Sequence, residues 1–572
     1  MKRKLLLVLV ACLVLGAKAQ TIETANDAVK SMGLGWNLGN TLDANNHNGI
    51  TDVNNNAYWG GQGLDSEICW GQKFTKKEIF QMLKNAGFGA IRVPVTWYNH
   101  MDKDGNIDTA WMARVHEIVD WCLDAGLYCI INVHHDTGAD SNNSKSWIKA
   151  DMATYNKQKD RYENLWKQIA TEFKDYDQRL LFESYNEMLD IYNSWCFATF
   201  NSPSKYDAKV AADAYEAINH YAQSFVNVVR ASGGNNGERN LIVNTYGACC
   251  GEGTWNNHLS DPLSNMKLPE DVVANHLIFE VHTYPNISNG NISSIKAGVD
   301  QTIQALNTHL VSKGAPVIVG EWGTSNVDAG DGKNDYDARR PIMLQFAEYF
   351  VKQMKANNIA TFYWMGLTDG TFRTFPAFNQ PDLAECLAKA YHGSSFIGEY
   401  PVFAQPASYC CFEGTKALAW GSGINIESFF IKNAGENCKV EISYTQTKSS
   451  GDDIQLCYGD WKGTGFIVDG KKYSTDFNPS KVYNTTATSD HVTTFSFPKA
   501  DYDKLAQTGL IIHGDGITIN KVVVTNPDNT YLETIHFESP SITTPAFNLS
   551  GQQVGDNYKG IIIKNGKRYI IR

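Results

Sequence analysis

Runs of basic residues are scarce in this sequence of 572 residues. Lys and Arg number 50 against 61 Asp and Glu, which gives a formal net charge of −11 at pH 7, and no basic run occurs beyond the first residues. Such a balance disfavours nucleic acid and anionic membranes as partners. After the N-terminus, the sequence also lacks the apolar run of about 18 residues that a membrane-spanning helix needs. We therefore predict a protein that neither binds nucleic acid nor spans a membrane.

Two motifs with well-defined chemistry are absent as well. The adjacent cysteines Cys249-Cys250 and Cys410-Cys411 do not have the spacing of about two to four residues that is typical of zinc sites. The Gly-x-Ser-x-Gly turn of serine hydrolases does not occur either. We accordingly predict no metal and no cofactor.

Charged residues are few and aromatic residues are many. Charged residues make up 19% of the chain, whereas aromatic residues reach 12% and include 14 Trp. This surplus suits a protein that stacks flat neutral faces such as sugar rings, although aromatic side chains more often fill cores. The length exceeds what one hydrophobic core usually organises, so we expect at least two domains.

Residues 1–19 have the pattern of a signal peptide. A basic start precedes an apolar run at residues 5–15 and the triplet Ala17-Lys18-Ala19. The segment that ends at Cys12 also resembles a lipoprotein cleavage box, but cleavage there would leave much of the apolar run unused. Removing residues 1–19 leaves eleven cysteines, so at least one is free or pairs elsewhere. We expect a protein that is secreted or held at the outer cell surface.

Eight apolar runs alternate with amphipathic helical patterns over residues 20–400. A capping box of Thr75 and Glu78, with Phe74 as its hydrophobic staple, predicts one helix start, and Asp108 predicts another. Alternation of this kind favours a (β/α)8 TIM barrel. A doubly wound sheet would carry a glycine-rich phosphate turn, but the first run is strand-like and aromatic. The predicted strands are residues 33–40, 90–97, 127–133, 180–188, 241–245, 277–282, 317–322 and 359–364.

Two of these strands end in a glutamate. Glu187 follows the fourth strand in the pair Asn186-Glu187, and Glu321 follows the apolar residues of the seventh. TIM barrels place catalytic groups at the carboxyl ends of their strands. Two carboxylates in one cleft suit glycoside hydrolysis, in which one acid protonates the leaving oxygen and the other attacks or activates water.

Side chains two residues apart on a strand share a face. If Glu321 points into the barrel mouth, Val319 and Val317 should therefore fill the interior beneath it. On the sixth strand, His282 and Tyr284 should share a face with Glu280 below them.

A buried arginine is rare unless it is paired. Arg92, inside the second strand, therefore predicts carboxylate partners, and we assign Glu183 and Glu280 to it as structural partners. Arg92, His282 and Tyr284 are expected to hold the ionised member of the catalytic pair.

His134 and His135 are adjacent, so on a regular strand they point to opposite faces and cannot hold one metal ion. We expect one of them to donate a hydrogen bond in the mouth and the other to pack. Trp364, at the end of the eighth strand, is interpreted as a platform for a sugar ring.

Residues 30–395 resemble glycoside hydrolase family 5, and most closely its endo-β-1,4-glucanases. The matching stretches span the whole predicted barrel. They are Gly35-Trp36-Asn37-Leu38-Gly39-Asn40-Thr41-Leu42-Asp43, Cys69-Trp70-Gly71, Ile91-Arg92-Val93-Pro94-Val95-Thr96-Trp97, Asn132-Val133-His134-His135-Asp136, Phe182-Glu183-Ser184-Tyr185-Asn186-Glu187, His282-Thr283-Tyr284 and Gly320-Glu321-Trp322-Gly323.

The resemblance implies a retaining mechanism with Glu187 as acid/base and Glu321 as nucleophile. It also implies that Asn186 binds the 2-hydroxyl of the sugar. One departure is Met188, where the family usually has proline. The resemblance further implies substrate-binding roles for Arg92, His134, Asn186, His282, Tyr284 and Trp364.

Beyond residue 400, alternating strands and turns replace the helical patterns. We predict a β-sandwich at residues 401–528, similar to accessory domains that bind carbohydrate, with Trp420, Tyr458 and Trp461 as candidate stacking residues and a structural spacer as the alternative. Residues 529–572 resemble a sorting domain of proteins exported by Bacteroidetes-type bacteria, or form one more hairpin of the sandwich.

The leading hypothesis is a monomeric, secreted endo-β-1,4-glucanase that acts on cellulose-type or mixed-linkage glucan. Xyloglucan, xylan or mannan are alternative substrates, because specificity lies in loops such as residues 45–62 and 141–155. A transglycosylase and a non-catalytic glycan-binding protein are further alternatives. The intact pair Glu187 and Glu321 disfavours the binding protein.

Overall fold

The fold is taken from a computed structural model, which contains two compact units, Met1–Phe403 and Ala404–Arg572. The residues that it describes are 22–45, 63–138, 146–195, 206–251, 257–285, 287, 290–323, 336–374, 376–402, 408–448, 451–483, 490–527, 546–548, 553–554, 560–564 and 567–571. The signal-peptide pattern therefore lies outside the described residues, as do residues 46–62 and 141–145 of the two loops that we expected to set specificity.

The first unit contains a closed barrel of eight parallel strands in which each strand pairs with the next and the last pairs with the first. This confirms the predicted (β/α)8 architecture. The strands are β1 Leu34–Asn37, β2 Ala90–Val93, β3 Tyr128–Asn132, β4 Leu180–Glu183, β5 Leu241–Asn244, β6 Leu277–Thr283, β7 Val317–Trp322 and β8 Ala360–Tyr363.

Helices cover the outside of the barrel and one end of it. The α-helices described in this unit are α1 Ala25–Met32, α2 Glu78–Asn85, α3 Thr109–Asp124, α4 Met152–Glu172, α5 Ala208–Ala231, α6 Asp261–Asn265, α7 Ile292–His309, α8 Tyr336–Ala356, α9 Thr371–Thr374 and α10 Pro381–His392. Among the described helices, none is both long and apolar enough to cross a membrane.

The two predicted helix starts have different outcomes. The Asp108 side chain accepts a hydrogen bond from the Trp111 N–H and caps α3, as predicted. The capping box at Thr75 is wrong, because α2 begins at Glu78 and the Thr75 N–H donates to Glu67 instead. Phe74 is 45% exposed and so does not serve as a staple.

The barrel interior has an apolar layer at the amino-terminal end of the strands. α1 packs against this layer with Ala25, Val29 and Met32 and closes that end of the barrel. The inward side chains of the layer are Ala90, Ile130, Leu181, Ile242, Ile278, Ile318, Ala360 and Phe362.

A second interior layer, two residues further along the strands, is polar. We call it the polar layer, and its members are fully buried. Because side chains two apart share a face, each stands above a residue of the apolar layer or above Gly35. The members are Asn37, Arg92, Asn132, Glu183, Asn244 and Glu280.

The seventh strand departs from this alternation. Ile318 points into the barrel, whereas Val317 and Val319 pack outward with the helices, so the prediction that these valines lie beneath Glu321 is wrong. The register against β6 shifts by one residue at Gly320. This bulge turns Glu321 inward and places it beside the polar layer.

The second unit is antiparallel and consistent with the predicted β-sandwich. Its described elements are β9 Ser408–Ala417, β10 Ile424–Ile426, α11 Ser428–Ala434, β11 Lys439–Gln446, β12 Asp453–Tyr458, β13 Gly465–Val468, β14 Lys471–Ser474, β15 Asp476–Phe477, α12 Pro479–Tyr483, β16 Asp490–Ser496, α13 Lys499–Thr508, β17 Leu510–Asp515 and β18 Ile517–Thr525. A six-stranded sheet has the order β14-β13-β16-β11-β18-β9 and a four-stranded sheet the order β10-β17-β12-β15.

The C-terminal residues form a separate small sheet of four strands. The strands are β19 Ala546–Asn548, β20 Gln553–Val554, β21 Gly560–Lys564 and β22 Lys567–Ile571. β21 and β22 pair as an antiparallel hairpin, which agrees with the hairpin pattern of the sequence.

The two helix starts predict different responses to substitution. Asp108→Ala removes the cap of α3 and should lower the free energy of unfolding by about 1 kcal/mol. Thr75→Val should cost little, because the buried Thr75 hydroxyl has no hydrogen-bond partner among the described residues. Urea denaturation followed by Trp fluorescence compares the two variants. An equal loss for Thr75→Val would contradict the described start of α2.

Candidate active site

Arg92 stands at the centre of the polar layer, and all five of its N–H groups have acceptors. Nε and Nη2 bind the two carboxylate oxygens of Glu183 at 2.6 and 2.8 Å. The three remaining N–H groups donate to Asn37 at 3.0 Å, Glu321 at 2.7 Å and Asn186 at 2.8 Å. The guanidinium therefore fixes groups from β1, β4, β7 and the loop after β4 in one plane.

Glu280 is the second acid of the polar layer, with its Oε1 at 3.3 Å from Arg92 Nε and 3.3 Å from His282 Nε2. Burial, and after it the nearby charge of Glu183, raises the pKa of Glu280 to about 7. Its Oε2 has no hydrogen-bond partner among the described residues. As predicted from the sequence, Glu183 and Glu280 both contact Arg92 and lie beneath the cleft.

Glu321 is held by donors on both carboxylate oxygens. Oε1 accepts from Arg92 at 2.7 Å, and Oε2 accepts from the Tyr284 hydroxyl at 2.6 Å. Burial alone would raise the pKa of Glu321. The charges of His282 and Arg92 and the two hydrogen bonds outweigh it and hold that pKa below its ordinary value of 4.5. Glu321 is therefore the ionised carboxylate of the cleft.

Glu187 lies on the loop after β4, and among the described residues its carboxylate has one hydrogen-bond partner, His282. It is 22% exposed, and its Oε1 is 3.0 Å from His282 Nδ1. Burial raises the pKa of Glu187 above its ordinary value of 4.5. The hydrogen bond from His282 lowers this pKa and the neighbouring charge of Glu321 raises it, and the net shift is upward. Although burial disfavours its charge, the surrounding glutamates raise the pKa of His282 to about 10. His282 is thus a cation between acids.

The two catalytic candidates face each other across a short gap. Carboxylate oxygens of Glu187 and Glu321 lie within 4.8 Å of one another, with a nitrogen of His282 within the same distance of both. Retaining glycosidases have carboxyl groups about 5–5.5 Å apart, and inverting ones about 6.5–9.5 Å. The separation of the two carboxylates is therefore closer to the shorter of these two ranges.

Asn186 and Met188 shape the loop that carries Glu187. The Asn186 side-chain oxygen accepts from Arg92, so its NH2 group, which has no partner among the described residues, can donate to a ligand. Met188 is fully buried, and its N–H donates to the Asn186 carbonyl at 3.2 Å. Proline could not make this bond. The departure from the family pattern therefore adds a hydrogen bond to the turn.

His134 presents a defined donor to the cleft. The Val95 N–H donates to the Asn132 side-chain oxygen, so the Asn132 NH2 group must donate to His134 Nδ1, at 3.0 Å. Burial lowers the pKa of His134 well below 6.5, and the neutral ring carries its proton on Nε2, 4.0 Å from Glu321. Trp364 stacks parallel to the imidazole with ring centroids 6.0 Å apart.

The expected divergence of the two adjacent histidines is wrong. β3 ends at Asn132, so strand alternation no longer applies, and the rings of His134 and His135 approach to 4.5 Å between centroids. Ligand atoms of Asp43, His134 and His135 lie within 4.8 Å of one another. By distance this set could hold a metal ion. The Asp43 oxygens already accept the N–H groups of Asn40 and Thr41, and burial raises its pKa to about 7.

Three functional asparagines were not identified from the sequence. Asn37 and Asn132 anchor Arg92 and His134, and the Asn244 NH2 group reaches the Asn186 carbonyl at 3.3 Å. Each is the last residue of its strand and lies two positions after an inward residue. That spacing was the available signal, because a polar residue at an inward strand end must face the site.

An eight-stranded (β/α)8 barrel with two glutamates of opposite pKa shift at its carboxyl end defines the protein as a glycoside hydrolase. Residues 50–368 match the family model of cellulases, glycosyl hydrolase family 5. The chain belongs to this family.

Similar proteins with assigned activities include endoglucanases. The chain is 31% identical over 396 residues to endoglucanase B of Neocallimastix patriciarum, a match that covers 67% of this chain and 74% of that one. It is 32% identical over 370 residues to a xyloglucan-specific endo-β-1,4-glucanase of Bacteroides ovatus, covering 60% and 65%.

Two similar solved structures are enzymes of the same family. A broad specificity endoglucanase from an uncultured bacterium has 58% identity and a TM-score of 0.61, covering 65% of this chain and 98% of that one. A family 5 enzyme of Prevotella bryantii, solved with a xyloglucan tetradecasaccharide, has 41% identity and a TM-score of 0.55, covering 65% and 99%.

The bulge at Gly320 predicts that one added methyl group lowers both activity and stability. A Cβ atom there would lie 1.5 Å from Glu280 Oε1, so Gly320→Ala must displace that carboxylate and its contacts with Arg92 and His282. We expect loss of most activity on soluble β-glucan and a lower unfolding midpoint. Gly323→Ala is the matched control, because its Cβ would lie 3.5 Å from the Tyr284 ring, an ordinary contact. Equal activity of the two variants would contradict this packing.

Proposed function

We propose that the protein is a secreted, endo-acting, retaining β-1,4-glucan hydrolase with Glu321 as nucleophile and Glu187 as acid/base. The observation that carries the proposal is the pair of carboxylates within 4.8 Å of one another, one with a lowered and one with a raised pKa. Membership of an endoglucanase family supports the same reaction.

In the first step, ionised Glu321 attacks the anomeric carbon of the bound sugar and forms a glycosyl ester. The bond from that carbon to the glycosidic oxygen breaks, and Glu187 donates its proton to the departing oxygen. Arg92 and Tyr284 hold the nucleophile in place, since each binds one of its oxygens. The NH2 group of Asn186 is assigned to the 2-hydroxyl of this sugar.

In the second step, Glu187, now ionised, takes a proton from water, and the water oxygen attacks the anomeric carbon. The ester bond to Glu321 breaks, so both carboxyl groups return to their starting charge and the sugar keeps its configuration. His282 contacts both acids, at 3.0 and 3.5 Å, and stabilises whichever of them is negative in each step. His134 and Trp364 are assigned to binding the same sugar.

We assign a broad range of β-1,4-linked glucans as substrates, including mixed-linkage glucan and xyloglucan. The support is the 58% identity to a broad specificity endoglucanase and the 41% identity to an enzyme solved with a xyloglucan fragment. Secretion and surface sorting by the C-terminal sheet remain part of the proposal and rest on the sequence patterns at residues 1–19 and 529–572. A monomeric state is also part of the proposal.

A panel of polysaccharides tests the proposed range. Reducing ends should increase on mixed-linkage glucan, xyloglucan and amorphous cellulose, and early products should be long oligosaccharides because cleavage is internal. Product sizing at high substrate concentration separates hydrolysis from transglycosylation. Activity on xylan or mannan alone would contradict the proposed substrate class.

Substitution of the acid/base should separate chemistry from structure. Glu187→Gln should lower kcat on β-glucan by about 10²–10⁴-fold, since proton transfer is lost, and leave the unfolding midpoint unchanged. Glu183→Gln is the matched control, because it weakens a buried ion pair with Arg92 and should lower the unfolding midpoint itself. Undiminished hydrolysis by Glu187→Gln would overturn the mechanism.

The pKa shifts predict a bell-shaped dependence of kcat/KM on pH. Activity needs Glu321 ionised and Glu187 protonated, so the acid limb should lie below pH 4.5 and the alkaline limb above it. Tyr284→Phe removes a hydrogen bond that lowers the pKa of Glu321, so it should move the acid limb to higher pH. Tyr349→Phe, on α8, is the control. An unmoved acid limb in Tyr284→Phe would contradict the assigned role.

A further inference from the structure

Two exposed indole rings flank one imidazole on the second unit. Trp420 is 53% exposed and Trp461 49% exposed, and their ring centroids lie 5.7 and 5.2 Å from that of His513. We call these three residues the indole cluster. Large aromatic side chains usually bury their faces, so two half-exposed indoles beside one another mark a surface for a ligand.

Tight turns hold both indoles in position. Ala419 and Ser422 exchange two backbone hydrogen bonds around Trp420, at 3.2 and 3.0 Å. Trp461 has a φ of 65°, in the left-handed region that bulky residues rarely occupy. In this turn the Tyr458 N–H donates to the Lys462 carbonyl and the Trp461 N–H donates to the Tyr458 carbonyl, both at 2.8 Å. Such a conformation is maintained only where the surrounding structure enforces it.

His513 between the indoles carries an unused polar atom. The residue is only 7% exposed, and its Nε2 lies 3.4 Å from Cys457 Sγ. Its Nδ1 has no hydrogen-bond partner among the described residues. A buried ring nitrogen in this state is costly unless a ligand hydroxyl or a water molecule completes it.

The neighbouring groups favour a neutral, hydroxyl-rich ligand. The strand register places Gln455 opposite His513 and Asn425 opposite Ile511, on the same outward face. The charges that act on Cys457 in this region come from Asp460 and Asp476. Carboxylates and amides accept hydrogen bonds from sugar hydroxyls. Asp460 is paired with Lys462 at 3.6 Å and with Lys504 at 3.2 Å, so the charges of the region largely cancel and favour neither a polyanion nor a polycation.

We propose that the indole cluster is a second carbohydrate-binding site, which stacks sugar rings of a β-linked glucan on Trp420 and Trp461 and bonds a hydroxyl to His513 Nδ1. The cluster belongs to the second unit, so it is distinct from the cleft of the barrel. The choice of a β-glucan over other neutral polysaccharides rests on the proposed function.

Binding is measured with the full chain carrying Glu187→Gln to stop hydrolysis and Trp364→Ala to weaken the cleft. In this background, Trp420→Ala with Trp461→Ala should weaken binding to amorphous cellulose and to mixed-linkage glucan by about tenfold or more. Trp420→Phe with Trp461→Phe keeps a ring at each position and should restore much of the binding. Val492→Ala, an exposed apolar residue of β16, is the control and should bind as the background does.

The outcomes separate this proposal from the proposed function. With Glu187 and Trp364 intact, the double alanine variant should keep its kcat/KM on a short soluble oligosaccharide, so lost binding with intact hydrolysis supports the site. Unchanged glucan binding by both double variants overturns it. So does stronger binding to a uronic-acid polymer, or a sedimentation shift which reveals that the indoles join two copies of the chain. If the unmodified chain does not hydrolyse glucan but binds it through the two indoles, the proposed function is contradicted and the second binding site is not.

Discussion

The buried guanidinium of Arg92 is the interaction on which the cleft depends. A lone charge inside the barrel would be costly, and Arg92 avoids this because each of its five N–H groups meets an acceptor. Its lower contacts, to Glu183, fix it to the strands. Its contacts to Glu321 and Asn186 fix the candidate nucleophile and the candidate ligand of the sugar hydroxyl to the same group.

The charges of His282 and Arg92 create the difference between the two catalytic candidates. Both glutamates are taken from water, and burial alone would raise the pKa of each. The charges of His282 and Arg92 and the hydrogen bonds from Tyr284 and Arg92 outweigh burial at Glu321 and lower its pKa, whereas the pKa of Glu187, which accepts no hydrogen bond from Arg92 or Tyr284, stays raised. His282, at hydrogen-bond distance from Glu187 and 3.5 Å from Glu321, lets negative charge move between them.

The errors of sequence interpretation fall where regular alternation ends. Val317 and Val319 were expected inside the barrel. They face outward instead, because the bulge at Gly320 interrupts the alternation of inward and outward side chains before Glu321. His134 and His135 were expected to diverge, but they follow the end of their strand and converge. The rule that side chains two residues apart share a face holds only while the hydrogen bonds between the strands are continuous. Active sites often lie where these hydrogen bonds stop.

The sequence by itself determined the barrel, its eight strands and the strand-end glutamates, because apolar periodicity and strand spacing are local properties of the chain. It also indicated that Arg92 must have carboxylate partners, since a buried guanidinium requires them. Only the tertiary structure decided which acid is ionised, which histidine nitrogen carries the proton and that Trp420, Trp461 and His513 meet. These depend on distances of a few ångströms between residues far apart in sequence, where burial and charge act together.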